Sequence, residues 1–239
     1  MSELPRLVRP NVLVRAVCLL WLVPKREFLK RFRVGRTVAE RVSGLELVIL
    51  PDVFNPVVFR TGRFFAESLK ELLPADRDAE VEKTALDLGT GSGVLAITAA
   101  KFGYSVDAVD LNDEAVRCAR DNAERNNVGA STRVYHGDLF APLPPRKYDL
   151  ILFSPPSFRG KPASKFGLCW QAEDVFERFA AELPGRLAKD GQALILQTSD
   201  GDEEGLVAAL AETGLCISIA KRRHFGVEIL TIYRLQHCA

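Results

Sequence analysis

The sequence predicts an α/β fold. It combines a mostly parallel sheet, helices on both faces, a C-terminal antiparallel hairpin and a helical N-terminal arm. Three observations predict it. From residue 84 onward, short apolar runs alternate with helix-like segments, the signature of a parallel sheet with crossover helices. A glycine-rich turn, Gly89-Thr90-Gly91-Ser92-Gly93, joins the first of these runs to the first helix. The apolar run 148–153 stops on Ser154-Pro155-Pro156, where proline's fixed φ and missing N–H forbid further strand pairing.

In chain order, residues 1–45 read as a basic helical arm and 46–239 as one α/β domain. Residues 45–73 read as a short strand, a Pro-broken loop and a helix from about Gly62, with a polar joint over 74–83. Strands follow at 84–88, 105–110, 132–138, 148–153 and 192–199. Helices fall at 93–103, 113–129, 172–191 and 203–214. The first two of these helices are expected to stop on Gly103 and Gly129, and Pro184 is expected to kink the third. Residues 215–235 read as two strands turning near Phe225-Gly226.

Composition narrows the function classes. The chain has 239 residues and a net charge of +1, so nothing global demands nucleic acid or membrane. Residues 1–41 nevertheless hold ten Lys/Arg and three acids, a local +7 against −6 for the remainder. That asymmetry fits an anionic partner or a solvated helical face. Five widely spaced cysteines and three scattered histidines give no metal-ligand spacing, and reduced thiols in a cytoplasmic protein are expected. The run 12–23 carries Arg15 and falls short of the roughly 20 apolar residues that a membrane span needs.

The glycine turn is the first candidate site. Glycines let a backbone turn sharply and let a ligand approach without Cβ clashes, and the following helix points free N–H groups at the same spot. Asp110, at the end of the next strand, stands where a carboxylate accepts both hydroxyls of a ribose. The register is G-x-G-x-G with an acid two residues earlier, Asp87, rather than the dinucleotide G-x-G-x-x-G. No G-x-x-x-x-G-K-[ST] loop is present.

These residues resemble class I S-adenosylmethionine-dependent methyltransferases, whose first motif is D-x-G-x-G-x-G. "VDLNDEAVRCARDNAERNNV" and "GDLFAPLPPRKYDLILFSPPSF" are similar to the release-factor glutamine N5-methyltransferase branch and its small methyltransferase relatives. The resemblance spans roughly residues 50–235 and implies a Rossmann-like sheet and S-adenosyl-L-methionine as cofactor. It implies that Asp87, Gly89, Thr90, Gly91 and Gly93 line the methionine portion. Asp110 would take the ribose, Leu111 would lie beside the adenine, and Asp138 and Leu139 would contact the adenine. Thr61 falls in the segment that closes over the cofactor.

The corner Ser154-Pro155-Pro156 matches the family's catalytic motif. An amide or amino nitrogen has a delocalised lone pair. A side-chain oxygen and a rigid proline carbonyl can accept its two N–H bonds and hold it toward the methyl. Ser154 and the Pro155 carbonyl take these roles in the resemblance, with Ser154 also beside the cofactor. Ser157 stands where the family has an aromatic ring, and Phe158 follows one residue later. Ser157, Phe158 and Arg159 are the candidate substrate residues, on a basic and mobile loop over 158–170 in which Lys161 and Lys165 are further anion contacts.

The leading expectation is therefore methyl transfer to an amide or amino nitrogen of a protein, nucleic acid or small molecule. The alternatives are a small-metabolite N- or O-methyltransferase, in which His136 or His224 serves as base, and a non-catalytic cofactor-binding partner subunit. The acceptor and the oligomeric state are left open by the sequence.

Overall fold

The computed structural model describes residues 4–73 and 82–238; most of the polar joint expected at 74–83 lies outside them. Helix α1 (Val12–Arg33) is capped by the Asn11 side chain, which accepts from the Leu13 and Val14 amides. The expected helical arm ends there. Residues 38–42 form a strand instead, β1 (Val38–Val42), which pairs antiparallel with β2 (Leu45–Ile49). Alternate residues of both strands are buried, Glu40 and Val42 on β1 and Leu45, Leu47 and Ile49 on β2, and Ser43-Gly44 makes the tight turn with both residues at positive φ. The hairpin thus straddles the expected boundary at 45/46.

The hairpin is fastened to the domain by two amide side chains. Asn122 accepts from the Val48 amide and donates to the Val48 carbonyl, and Asn126 does the same for Glu46.

Helix α2 (Arg60–Leu72) follows, and then the central sheet begins. Its strands are β3 (Thr84–Leu88), β4 (Ser105–Asp110), β5 (Thr132–His136) and β6 (Tyr148–Phe153), with helices α3 (Val94–Lys101) and α4 (Asp113–Arg125) between the first three. Two short strands, β7 (Phe158–Arg159) and β8 (Gln171–Ala172), pair with each other over the expected mobile loop. The chain ends with α5 (Val175–Arg186), β9 (Leu187–Thr198), α6 (Glu203–Ala211), β10 (Cys216–His224) and β11 (Ile229–Gln236).

The seven-stranded sheet runs β10-β11-β9-β6-β3-β4-β5, parallel from β9 to β5 and antiparallel at β11 and β10. Alternate residues of the inner strands feed two cores. Leu150, Leu152, Leu194 and Leu196 face α2, α3 and α4, whereas Ile151, Phe153, Ala193 and Ile195 face α5 and α6. This is the Rossmann-like, doubly covered sheet that the alternation predicts.

Local departures have local reasons. Helix α4 ends at Arg125 and is closed by the left-handed Asn127 (φ +58°), not by Gly129, which opens a 3-10 turn; asparagine tolerates the left-handed region. Helix α5 stops at Arg186, and residues 187–191 enter β9 through a register break opposite Tyr148 and Leu150. A Cβ at Gly191 would lie 2.9 Å from the Tyr148 carbonyl, so glycine permits that close approach.

The expectation of reduced thiols fails for one pair. The β10/β11 register sets Cys216 opposite Gln236, which brings Cys238 to a Cα separation of 5.2 Å from Cys216, and the two form a disulfide. Cys18, Cys118 and Cys169 are free. Among the described residues no helix is long and apolar enough to cross a membrane.

Candidate active site

The carboxyl ends of β3, β4 and β6 meet at a cavity of about 1170 Å³. That exceeds the roughly 300–1,000 Å³ of a typical single-ligand pocket, so it has room for two reactants. Its floor is the glycine turn. Gly89, Gly91 and Gly93 have φ of +64°, +54° and +81°, conformations that cost other L-residues about 1–2 kcal/mol each. Their purposes differ. A Cβ on Gly89 would project into open space, where it would fill the cradle, whereas one on Gly93 would lie 3.1 Å from the Ala119 Cα and force α3 away from α4.

Asp87 sits below this turn, fully buried. One oxygen accepts from the Thr90 hydroxyl at 2.7 Å and the Ala96 amide at 3.0 Å. The other has no partner among the described residues. Burial pushes its pKa up to about 7 against the pull of those two hydrogen bonds. Asp87 therefore braces the turn from behind; Thr90, Gly89 and Gly91 line the cavity and Gly93 supports it from outside.

Asp110 ends β4 with its carboxylate held by two amides, Gly91 at 2.8 Å and Asn112 at 2.9 Å. Burial raises its pKa, and the two amides oppose that shift. The exposed Leu111 side chain follows it on the cavity wall. Leu139 lines the same wall at φ +45°, a strained value for a bulky residue of the kind that clusters at ligand sites. Asp138 also lines the cavity, but one of its oxygens is tied to Arg178 at 2.5 Å. Cys169 is pressed in alongside; burial, and then the charge of Asp110, push its thiol up to about 12, so it stays protonated.

These features fit S-adenosylmethionine: a bare backbone cradle, a braced carboxylate at the end of the second strand and an apolar flank for a flat ring.

The corner stands at the end of β6. Ser154, Pro155 and Pro156 line the cavity, and neither the Ser154 hydroxyl nor the Pro155 carbonyl bonds to any described residue. Ser157 is also on the wall, and its size has a reason. Its carbonyl accepts from the Asp202 amide at 2.8 Å, and a Cβ on Gly201 would come within 2.9 Å of the Ser157 Cβ. The loop after β9 is packed against this position.

Ring faces come from elsewhere. Phe54 and Phe59 stack at 4.7 Å, and Trp170 meets Phe59 edge-on at 4.7 Å and Phe54 at 5.2 Å. All three line the cavity, as does Phe158, whose amide donates to the Trp170 carbonyl. This cluster is absent from the sequence reading; the only signal was the aromatic content of "VFNPVVF" and "GLCW". Thr61 lies in the first turn of α2 on the wall rather than at its N-cap, which is Phe59.

Arg159 is the residue that the structure removes from the group. It lies outside the cavity lining and is clamped by Glu177 at 2.6 Å and Asp202 at 2.5 Å, over the Phe176 ring. Those carboxylates raise its pKa still further. Lys165 is likewise engaged, with Asp113 at 2.6 Å. The loop over 158–170 is thus pinned by β7/β8 pairing, by ion pairs and by Trp170. Neither His136 nor His224 lines the cavity, so neither is placed as a base.

The roof is α1. Arg15, Leu19, Leu22 and Val23 line the cavity, as do Phe225 and Glu228 of the β10/β11 tip. Arg15 pairs with Asp200 at 3.0 Å, Arg9 donates to the Ser199 carbonyl, and Arg222 donates to the Arg6 carbonyl at 3.0 Å.

Comparison with known proteins gives the same picture. Residues 47–227 match the family model described as "Methyltransferase small domain". The chain is 31% identical over 200 residues to a Methanocaldococcus jannaschii protein that carries the provisional name protein N5-glutamine methyltransferase, covering 80% of this chain and 95% of that protein. It is 35% identical to the ribosomal protein uL3 glutamine methyltransferase of Burkholderia pseudomallei over 61% of this chain and 54% of that one. It therefore spans only about half of that longer relative. Among solved structures, the Thermus thermophilus 16S rRNA N2 G1207 methyltransferase in complex with AdoMet and guanosine aligns with a TM-score of 0.64 at 22% identity, covering 85% of this chain and 50% of that one. At that identity the likeness speaks to the fold.

Proposed function

The chain belongs to the methyltransferase small domain family and is an S-adenosylmethionine-dependent methyltransferase, and on that premise we propose that it methylates the side-chain amide nitrogen of glutamine in a protein. The observation that carries this reading is the corner after β6. A free hydroxyl and a free proline carbonyl share one cavity with the glycine turn. The relatives named as glutamine methyltransferases support the same acceptor.

The bound cofactor supplies an electrophilic methyl on a sulfonium centre. Gly89, Thr90 and Gly91 would hold its methionine portion, and Asp110 would accept from the ribose hydroxyls. Leu111, Leu139 and the free oxygen of Asp138 would contact the adenine, and Thr61 lines the same cavity. Ser154 and the Pro155 carbonyl each accept one amide N–H, which holds the nitrogen and withdraws it from water. Pro156 keeps both acceptors rigid. Phe54, Phe59 and Trp170 offer flat apolar surface to the planar amide where Ser157 has none, and Phe158 flanks the entrance.

The catalytic unit in this reading begins with the β1/β2 hairpin rather than at residue 46, and α1 is the arm over it. Relatives named for ribosomal proteins and release factors favour a cytoplasmic site of action. The hydroxyl-directed alternative loses support because the histidines it requires lie off the cavity.

The test is a labelled-methyl assay on fractionated extract, followed by mass spectrometry of the labelled fraction. Methylglutamine in a protein, lost with Ser154→Ala, is expected. Label confined to RNA or to small molecules would overturn the acceptor assignment.

A further inference from the structure

Helix α1 has a second face that the catalytic cavity does not use. Leu13, Val17, Leu20, Phe28 and Phe32 recur at helical spacing and point away from the domain; Leu13, Leu20 and Phe28 are 77%, 75% and 64% exposed. The stripe is separate from the inner face, where Arg15, Leu19, Leu22 and Val23 meet the cavity. Twenty-two residues make a rod about 33 Å long. A contiguous apolar face of this length on a helix open to water marks an interaction surface.

Charge selects the occupant. Between residues 4 and 37 the chain has nine Lys/Arg and one acid, Glu27. Arg6, Arg31 and Arg36 are exposed and form no ion pair among the described residues. Arg31 sits between Phe28 and Phe32 at the end of the stripe, and Arg36 follows just beyond it. The rest of the surface is net acidic, so the excess is confined to this arm.

We propose that α1 lies flat on an anionic lipid surface, with its apolar stripe in the interface and its flanking cations on the headgroups. Phe28 and Phe32, which already meet each other at 4.8 Å, offer a nucleic acid rings at one end of the stripe only, whereas acyl chains cover Leu13, Val17 and Leu20 as well as the rings. A second copy is disfavoured, because pairing two stripes across a two-fold axis would bring two arms of strong like charge together. An amphipathic helix with basic flanks is the general form of interfacial binding, and no span is needed. Engagement would hold the roof of the catalytic cavity at the lipid surface while the acidic body faces away.

The experiment is flotation of the full chain with vesicles of phosphatidylcholine alone, or with roughly a third phosphatidylglycerol. The expected result is at least tenfold stronger partitioning to the anionic vesicles, weakened by salt. A Leu13→Glu/Leu20→Glu/Phe28→Glu variant should lose at least tenfold in partitioning, with its circular dichroism and its calorimetric affinity for S-adenosylmethionine unchanged. Arg31→Glu/Arg36→Glu, which leaves the stripe intact, should weaken binding to anionic vesicles alone. Absence of flotation with the anionic vesicles overturns the proposal, as does undiminished flotation of the stripe variant. So does sedimentation velocity that finds a dimer which the stripe variant converts to monomer. Cofactor binding and methyl transfer are read separately, so failure here leaves the acceptor assignment standing.

Discussion

The floor and the roof of the catalytic cavity are built by different rules. The floor is backbone: three left-handed glycines, a carboxylate braced by two amides and a proline-stiffened corner, all at the ends of buried parallel strands. The roof is side chain: α1, the Phe54–Phe59–Trp170 cluster, an ion pair from Arg15 to Asp200 just after β9 and a hydrogen bond from Arg222 of β10 to the Arg6 carbonyl. Backbone at a sheet edge is held by the whole sheet, so it is suited to a constant ligand. A helix held by a few polar contacts can be exchanged or moved, so it is suited to the variable one. In the proposed reading, the cofactor and acceptor halves of the site divide along this line.

The largest expected effect probes the floor from beneath. Asp87 holds a proton in the folded state up to about pH 7, above its ordinary value of 3.8. Between those values the native state binds more protons at Asp87 than the unfolded one, so this group's contribution to stability is full below about pH 4 and is lost as pH rises toward 7. The span corresponds to at most roughly 4 kcal/mol. Urea titrations of the cofactor-free protein should show this slope, and Asp87→Asn should flatten it. An equally steep slope in the variant would place the titration elsewhere.

Next in size is Asp110→Ala. Loss of charged hydrogen bonds of about 1.5–3 kcal/mol should lower S-adenosylmethionine affinity roughly ten- to a hundredfold by calorimetry. Unchanged affinity would detach Asp110 from the cofactor.

Ser154→Ala tests the border between floor and roof. It should reduce kcat more than tenfold, about 1.4 kcal/mol, with cofactor affinity near wild type. Full activity would remove the hydroxyl from the chemistry. The smallest effect is expected for Arg159→Ala, which breaks partly exposed ion pairs worth roughly 1 kcal/mol or less. Its thermal midpoint should drop slightly while kcat and KM hold. A change in acceptor KM would return Arg159 to the substrate side.

The same division explains what was legible in the sequence. Asp87, the glycines and Asp110 are encoded within 24 residues of one another, and their roles follow from local backbone geometry. The corner announces itself because prolines end a strand wherever they fall. The roof is non-local. Arg159 reads as a free cation until the fold brings Glu177 and Asp202 to it from 18 and 43 positions away. Trp170 acquires its role only beside Phe54 and Phe59, and Cys216 meets Cys238 only through the β10/β11 register. Residues 38–42 read as helical because a strand of five residues with two charges shows little periodicity alone; the pairing with β2 decides it.

The two asparagines of α4 carry a consequence for solubility. A two-stranded hairpin outside the main sheet leaves an edge that invites strands from other molecules. On β2 the outward-facing amides and carbonyls of Glu46 and Val48 are already taken by Asn122 and Asn126. Side-chain amides thus imitate a neighbouring strand and end the hairpin without adding one. Helix α4 protects the chain from polymerising through this edge: replacing Asn126 would expose a template for aggregation before it disturbed the candidate site, whereas replacing Asn122 would also remove its hydrogen bond to the Ser92 carbonyl of the glycine turn.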